Sequence, residues 1–257
     1  MSSRIVLVTG STTGIGEACA RAFAALGDTI MVSGRNKTAG RSIVDELVRG
    51  GAHADFCRAD FHDPAEAGRL VESTIERHGR LDVLVNNAGI LYTADAVETS
   101  NAQWYETMNV NVHALFFASR AAVKQMLLQG GGAIVNIASE WGLNGEPRHV
   151  AYCASKGAVV QITRCMGLDH AKDNIRINAV CPGEVHTRMV DQILAKQGGD
   201  REANLRSLAS GIPMRRIASP DEVARCVVFL ASSQASYVTA TTLAVDGGSD
   251  ATAGAYP

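Results

Sequence analysis

The sequence predicts a single-domain, doubly wound α/β fold, a parallel sheet with helices on both faces, and three observations carry that prediction. Short apolar runs alternate with longer segments of helical period along the whole chain. The first four runs are almost continuously apolar, as strands covered on both faces require. A glycine-rich turn joins the first run to the first helical segment, and the order βαβαβ follows.

The elements read in order as follows. "RIVLVTG" is the first strand, and the segment after it repeats Ile15, Cys19, Ala22, Phe23 and Leu26 every three or four residues, one buried helical stripe. "DTIMVSG" is the second strand, with helices over 37–50 and 64–79 after it. "LDVLVNN" and "AIVNIAS" flank a long helix over 101–129. A helix over 149–171 leads to "IRINAV", and one over 220–232 leads to "TTLAVDGG". No repeat, linker or low-complexity stretch divides residues 1–257, so the chain reads as one Rossmann-like domain.

Composition narrows the possible partners. At 46% hydrophobic and 19% charged residues, the chain is ordinary for a globular domain with a packed core. A net charge of −2 provides no basic field, so neither nucleic acid nor anionic lipid is expected as a partner. The N-terminal apolar run, Ile5 to Val8, is too short for a signal-peptide core or a membrane span, so a cytoplasmic protein is expected. The six cysteines, at 19, 57, 153, 165, 181 and 226, form no CxxC pair and read as reduced core thiols. The seven histidines show no HxxxH spacing, and no metal is expected.

"VTGSTTGIGEA" places glycines at 10, 14 and 16 between the first strand and the first helix. Glycine lets backbone N–H groups approach a pyrophosphate, which then lies at the positive end of the helix. A glycine-rich turn can also stand without a ligand, but the strand before it and the amphipathic helix after it favour a dinucleotide. The second strand ends near Gly34, where an acid often meets the adenosine ribose of NAD. No Asp or Glu occurs between Thr29 and Val44, whereas Arg35, Lys37 and Arg41 do. Arg35 is placed to grip a 2′-phosphate, so NADP is expected over NAD, with NAD kept as the alternative should these cations only form a solvated face.

"AYCASKGAV" sets Tyr152 and Lys156 four residues apart, on one face of a helix. A free tyrosine, with a pKa of about 10, is a poor base near neutrality. A cation 4 Å away contributes about 4 kcal/mol at an effective dielectric of about 20, enough to bring a phenol into working range.

Together these motifs resemble the main TGxxxGIG branch of the short-chain dehydrogenase/reductase family. The match runs from Arg4 to about Gly248 through "TGSTTGIG", "NNAG" at 86 to 89, "NVNV" at 109 to 112, Ser139, "YCASK" and "CPG" at 181 to 183. The resemblance implies a catalytic set of Asn111, Ser139, Tyr152 and Lys156. Tyr152 would act as general acid or base, Ser139 would bind the substrate oxygen, Lys156 would lower the tyrosine pKa and hold the nicotinamide ribose, and Asn111 would hold a water. It also implies cofactor contacts from Gly10, Thr12, Gly14, Ile15, Gly16 and Arg35, from Asp60 and Phe61 at the adenine, and from Asn87, Ala88 and Gly89. Pro182, Gly183, Val185 and Thr187 would embrace the nicotinamide. Taken singly, Asn86 and Asn87 could cap a strand, Ser139 a turn, and Asn111 a helix contact.

Two positions depart from the family pattern: Ala114 stands where many members have Gly, and "TAT" at 239 to 241 replaces a common "TGQ". Each adds a methyl group at a backbone position. Residues 187–214 read as a substrate lid, with an ordinary surface helix pair as the bland alternative. Glu140, Asn144, His149 and Glu184 lie near family pocket positions and suggest a polar substrate. His149, three residues before Tyr152, reads as shaping a pocket or capping a turn.

The reading is an oxidoreductase moving hydride between NADP(H) and a carbonyl or secondary-alcohol small molecule. The alternatives are the same chemistry with NAD(H), or a catalytically silent nucleotide-binding regulatory protein. A sugar-nucleotide epimerase would show a different glycine spacing and a longer substrate domain. The resemblance further implies a homotetramer with an interface on the helices near 101–129 and 149–171.

Overall fold

The computed structural model describes residues 3–252, so residues 1–2 and 253–257 of the expected domain lie outside the described residues. The chain alternates β1 (Ile5–Val8), α1 (Gly14–Ala25), β2 (Thr29–Gly34), α2 (Lys37–Arg49), β3 (Ala54–Arg58), α3 (Ala65–His78) and β4 (Val83–Asn86). It continues through α4 (Asn101–Met108), α5 (Ala114–Gln129), β5 (Gly132–Ile137), α6 (Val150–His170) and β6 (Ile175–Pro182). Helices α7 (Arg188–Gln197), α8 (Arg201–Ser210) and α9 (Pro220–Ala231) precede the last strand, β7 (Thr242–Val245). Among the described residues these strands form one parallel sheet in the order β3-β2-β1-β4-β5-β6-β7. The order reverses between β1 and β4, and a crevice opens beyond their carboxyl ends.

The apolar runs divide between the faces with period two. Val6, Val8, Ile30, Val32, Val83 and Val85 join a core with residues of α1, α2 and α9, including Phe23, Leu47 and Val227. The alternate residues Ile5, Leu7, Met31 and Leu84 join Leu70, Val71, Ala118 and Met126 of α3 and α5 on the other face. Successive side chains on a strand point to opposite faces, so a continuously apolar run fills two cores. Local chemistry sets the helix ends: Asn36 Oδ1 accepts from Ala39 N at 3.0 Å, and the Ser100 side chain and Gln103 form a capping box.

Several expectations are corrected. The sequence reading omits β3, an edge strand of half-buried residues in which Asp55 and Arg58 interrupt any apolar run. The long helix expected over 101–129 is broken by a π-helical turn at Asn109–His113, between α4 and α5. Only Cys19 and Cys181 are buried, Cys165 faces solvent on α6, and all six cysteines are free. Ala114 fits into the core at 1% exposure, but Ala240 takes φ +59°, a left-handed conformation that glycine adopts without steric cost.

Candidate active site

The crevice at the switch point is a cleft of about 330 Å³. Its lining includes Gly10, Thr12, Gly14, Ile15, Arg35, Asp60, Phe61, Asn87, Ala88, Gly89, Ser139, Tyr152, Lys156, Pro182, Gly183, Val185 and Thr187. Two expected residues are not in the wall. Gly16 sits behind it, where a Cβ would collide with the Asn87 side chain and the Gly10 carbonyl, so this glycine serves close packing of α1 against the β4 end. Asn111 also lies behind the wall. The π-helical turn presents its side chain to the backbone of Ile90, accepting from N at 2.8 Å and donating to O at 2.9 Å, and it donates to Ser155 Oγ at 3.0 Å.

At one end of the cleft, the turn from β1 to α1 forms a shallow cradle. Gly10 and Gly14 adopt φ +62° and +61°, and a Cβ on Gly10 would lie 2.9 Å from Ala88 Cα. The chemistry of the turn fits a pyrophosphate, since it exposes backbone at a helix N-terminus, with Thr12, Thr13 and Thr187 in the lining around it. Arg35 follows directly on β2 and lines the cleft, whereas Lys37 and Arg41 belong to exposed turns of α2 outside it.

Beside Arg35 lies a network that the sequence reading missed. The His62 Nδ1–H group donates to Asp60 Oδ1 and Nε2–H to Glu106 Oε1, both at 2.5 Å, and Tyr92 donates to Glu106 Oε2 at 2.6 Å. Hydrogen bonds to Asp60 and then Glu106 outweigh burial and raise the His62 pKa, favouring the imidazolium. Asp60 is pushed up by burial, but its bonds from His62 outweigh this and leave it below the usual carboxylate range. His62 itself lines the cleft, with Arg35 Nη1 3.4 Å from its Nδ1.

The other end is buried. Ser139 ends the β5 segment and caps the short 3₁₀ turn Glu140–Gly142, its Oγ accepting from Trp141 N at 3.2 Å. That turn presses on α6: a Cβ on Gly142 would lie 2.8 Å from the Lys156 backbone. Tyr152 occupies the first turn of α6 and Lys156 the next, which places Nζ 5.6 Å from the Tyr152 ring centroid. Lys156 Nζ donates to Ile137 O at 2.7 Å. Asn111 and Lys156 flank one spot, since a Cβ on Gly89 would lie 3.4 Å from Asn111 Oδ1 and 3.5 Å from Lys156 Nζ. Trp141 packs edge-on against Tyr152, with ring centroids 5.9 Å apart, and at 4.6 Å from His149.

Burial dominates the electrostatics at this end. It pulls Lys156 down to about 8 and pushes the Tyr152 phenol above its ordinary value, with Ser139 acting against that rise and Glu184 adding to it. The protein alone therefore holds Tyr152 protonated, whereas the sequence reading has Lys156 lowering its pKa. Glu140 is pushed up to about 8, by burial first and then by Glu184 and Asp246. Of the four polar pocket positions expected, Glu140 and Glu184 line the cleft. Asn144 instead donates to Asp250 at 2.5 Å, and His149 turns to Thr93 and the Pro147 carbonyl. Met189 and Val190, within the segment 187–214 expected as a lid, join the wall, and so does Trp141, which only its adjacency to Ser139 could have signalled.

Among the described residues, no cluster of three or more His, Cys, Asp or Glu side chains could hold a metal ion, and no helix is long and apolar enough to cross a membrane. A family model described as enoyl-(acyl carrier protein) reductase matches residues 10–250. Cyclopentanol dehydrogenase of Comamonas sp. (strain NCIMB 9872) is 38% identical over 248 residues, which covers 96% of this chain and 97% of the relative. Meso-2,3-butanediol dehydrogenase of Serratia marcescens is 37% identical over 255 residues, covering 98% and 96%. A solved variant of actinorhodin polyketide ketoreductase with NADPH has a TM-score of 0.92 at 35% identity, covering 96% of this chain and 97% of that one. With a glycine cradle at one end of its cleft and Ser139, Tyr152 and Lys156 at the other, the chain belongs to the short-chain dehydrogenase/reductase family of NAD(P)-dependent oxidoreductases.

Proposed function

We propose that this protein interconverts a carbonyl compound and its secondary alcohol with NADP(H), using Tyr152 as general acid and base. The observation that carries the proposal is the convergence of Ser139, Tyr152 and Lys156 in one buried wall of a cleft whose far end fits a dinucleotide. The nicotinamide, when bound, supplies or takes the hydride. In reduction the Tyr152 hydroxyl gives its proton to the carbonyl oxygen, and Ser139 donates a hydrogen bond to the same atom. In oxidation the phenolate takes the alcohol's proton. Lys156 lies near enough to stabilise that phenolate, and two of its three N–H groups remain for ribose hydroxyls after the bond to Ile137 O. Asn111 uses its amide to fix the π-helical turn, and the free lone pair of Oδ1 is assigned to a water shared with Lys156.

The charge of Arg35 at the end of β2, with no acid before Asp45, favours NADP over NAD. The NADPH of the polyketide ketoreductase structure is consistent with that choice. Relatives named for cyclopentanol and butanediol support a secondary alcohol as substrate. Residues 187–214 are assigned as a cover, since Thr187, Arg188, Met189 and Val190 line the cleft where α7 begins. A homotetramer through α4, α5 and α6 accounts for the exposed Trp104, Tyr105, Phe116 and Leu168, and light scattering tests it.

The test is an absorbance assay at the nicotinamide band, across secondary alcohols and ketones with both cofactors. Turnover that prefers NADP is expected, with alcohol oxidation rising as pH rises because burial holds Tyr152 protonated near neutrality. Cofactor binding with no turnover across the panel would instead establish a silent nucleotide-binding protein.

A further inference from the structure

The wall of the cleft contains an acid that neither the fold nor the proposed proton transfer uses. Glu140 follows Ser139 directly, is 9% exposed and lines the cleft. Its carboxyl group has no hydrogen bond or ion pair among the described residues. One of its oxygens, Oε2, lies 3.0 Å from the point that a Cβ on Gly183 would occupy, so the group is turned toward the strand end that carries Glu184. The charged groups that act on it most are Glu184, Asp246, Glu146 and Asp250, all of them acids. The Glu140 oxygens are not among the buried side-chain atoms left without a partner, so they face the cleft's solvent, and a ligand that displaces this solvent has to supply a hydrogen bond in its place.

We propose that Glu140, backed by Glu184, selects the substrate: its carboxyl group receives a hydroxyl carried beside the reacting carbon, which makes α-hydroxy ketones and vicinal diols the substrate class. This rests on the oxidoreductase reading and deepens it. Ser139 and Glu140 both line the cleft and Glu140 is among the charges that act on Tyr152, so a substrate oxygen held at Ser139 and Tyr152 brings its neighbouring atoms toward Glu140. Burial and the surrounding acids keep Glu140 largely protonated near neutrality, with a pKa of about 8. A protonated carboxyl group offers one donor and one acceptor, and a hydroxyl offers the complementary pair. A carboxylate or phosphate placed at Glu140 would meet the acids that surround it and is disfavoured there. A simple ketone leaves Glu140 unpartnered, and an unmade buried hydrogen bond costs about 1–3 kcal/mol, roughly ten- to a hundredfold in selectivity.

The experiment compares kcat/KM for 3-hydroxybutan-2-one and butan-2-one with NADPH, in wild type, Glu140→Gln and Glu140→Leu. Wild type should prefer the hydroxy ketone by at least tenfold. Glu140→Leu should lower that ratio ten- to a hundredfold, and Glu140→Gln, which keeps a donor and an acceptor, should retain most of it. A wild-type ratio near one, or a ratio unmoved in Glu140→Leu, overturns the proposal, as does a preference for 1-aminopropan-2-one over 3-hydroxybutan-2-one. Binding of butane-2,3-diol and butan-2-ol to the NADP-saturated protein, read by fluorescence of Trp141 beside Tyr152, is a second measure independent of turnover. A diol that binds no more tightly than the simple alcohol overturns the role of Glu140 alone. If every alcohol and ketone in the panel fails to turn over although the diol binds selectively, the oxidoreductase reading falls instead.

Discussion

The two ends of the cleft handle charge in opposite ways. At the Arg35 end the ionisable groups are partly exposed and paired: His62 bridges Asp60 and Glu106, and Tyr92 completes the chain. At the Tyr152 end they are buried and poorly paired, with Lys156 bonded to a single carbonyl and Glu140 to nothing among the described residues. Under the proposed function the first end, through Arg35, is assigned to cofactor affinity. Burial without partners moves Tyr152, Lys156 and Glu140 well away from their ordinary values, which suits proton transfer and selection. Affinity and rate are thereby assigned to different residues of one cleft.

That division predicts three graded outcomes. The largest concerns Lys156→Ala. At 5.6 Å from the Tyr152 ring and an effective dielectric of about 20, the ammonium stabilises a phenolate by about 3 kcal/mol. Alcohol oxidation should therefore fall roughly a hundredfold, with its alkaline rise displaced to higher pH. A pH–rate profile like that of wild type would sever Lys156 from the chemistry.

The next outcome is a stability effect of opposite sign. Glu140 has a folded pKa of about 8 against an ordinary carboxylate value of 4.5, so the unfolded chain loses its proton first as pH rises. Stability is then lost between about pH 4.5 and pH 8, at most on the order of 5 kcal/mol from this group. Glu140→Gln should match wild type in denaturant melts near pH 5 and exceed it near pH 8. Equal curves at both values would mean that Glu140 is solvated and that the contrast between the ends is overdrawn.

The smallest effect belongs to neither end. Ala240, at φ +59°, precedes β7 and approaches Gly167 of α6, away from the cleft. Ala240→Gly relieves a left-handed conformation that costs about 1–2 kcal/mol, less about 0.5–1 for glycine's extra chain entropy. A gain of about 0.5–1 kcal/mol in thermal or urea melts is expected, with kinetics unchanged. A loss of stability would show that the methyl contact there outweighs the strain.

What was legible in the sequence follows the same division. Tyr152 and Lys156 could be read because their spacing sets a phenol and an ammonium on one helix face, Ser139 only through the family resemblance, and the glycine cradle because backbone approach admits little else. The His62 network could not be read, since His62 and Glu106 are 44 residues apart and meet only through the fold. The state of Glu140 was hidden for a related reason: Asp246 and Asp250 come from the segment after β7. The break at Asn109–His113 was not legible because its asparagines and valines, though weak helix formers, do not by themselves interrupt a helix, and β3 because a half-buried edge strand does not need an apolar run.

The most direct test of the division compares Tyr152→Phe with Arg35→Ala, measuring NADPH Kd by titration and kcat at saturating NADPH for each. Tyr152→Phe should lose about 10²–10⁴ in kcat, the range of general acid–base catalysis, while its NADPH affinity changes little. Arg35→Ala should weaken NADPH by roughly ten- to a hundredfold, NAD much less, and move affinity far more than kcat. If Tyr152→Phe kept near-normal turnover, or if Arg35→Ala left NADPH affinity where it was, the assignment of rate to one end and affinity to the other would be contradicted.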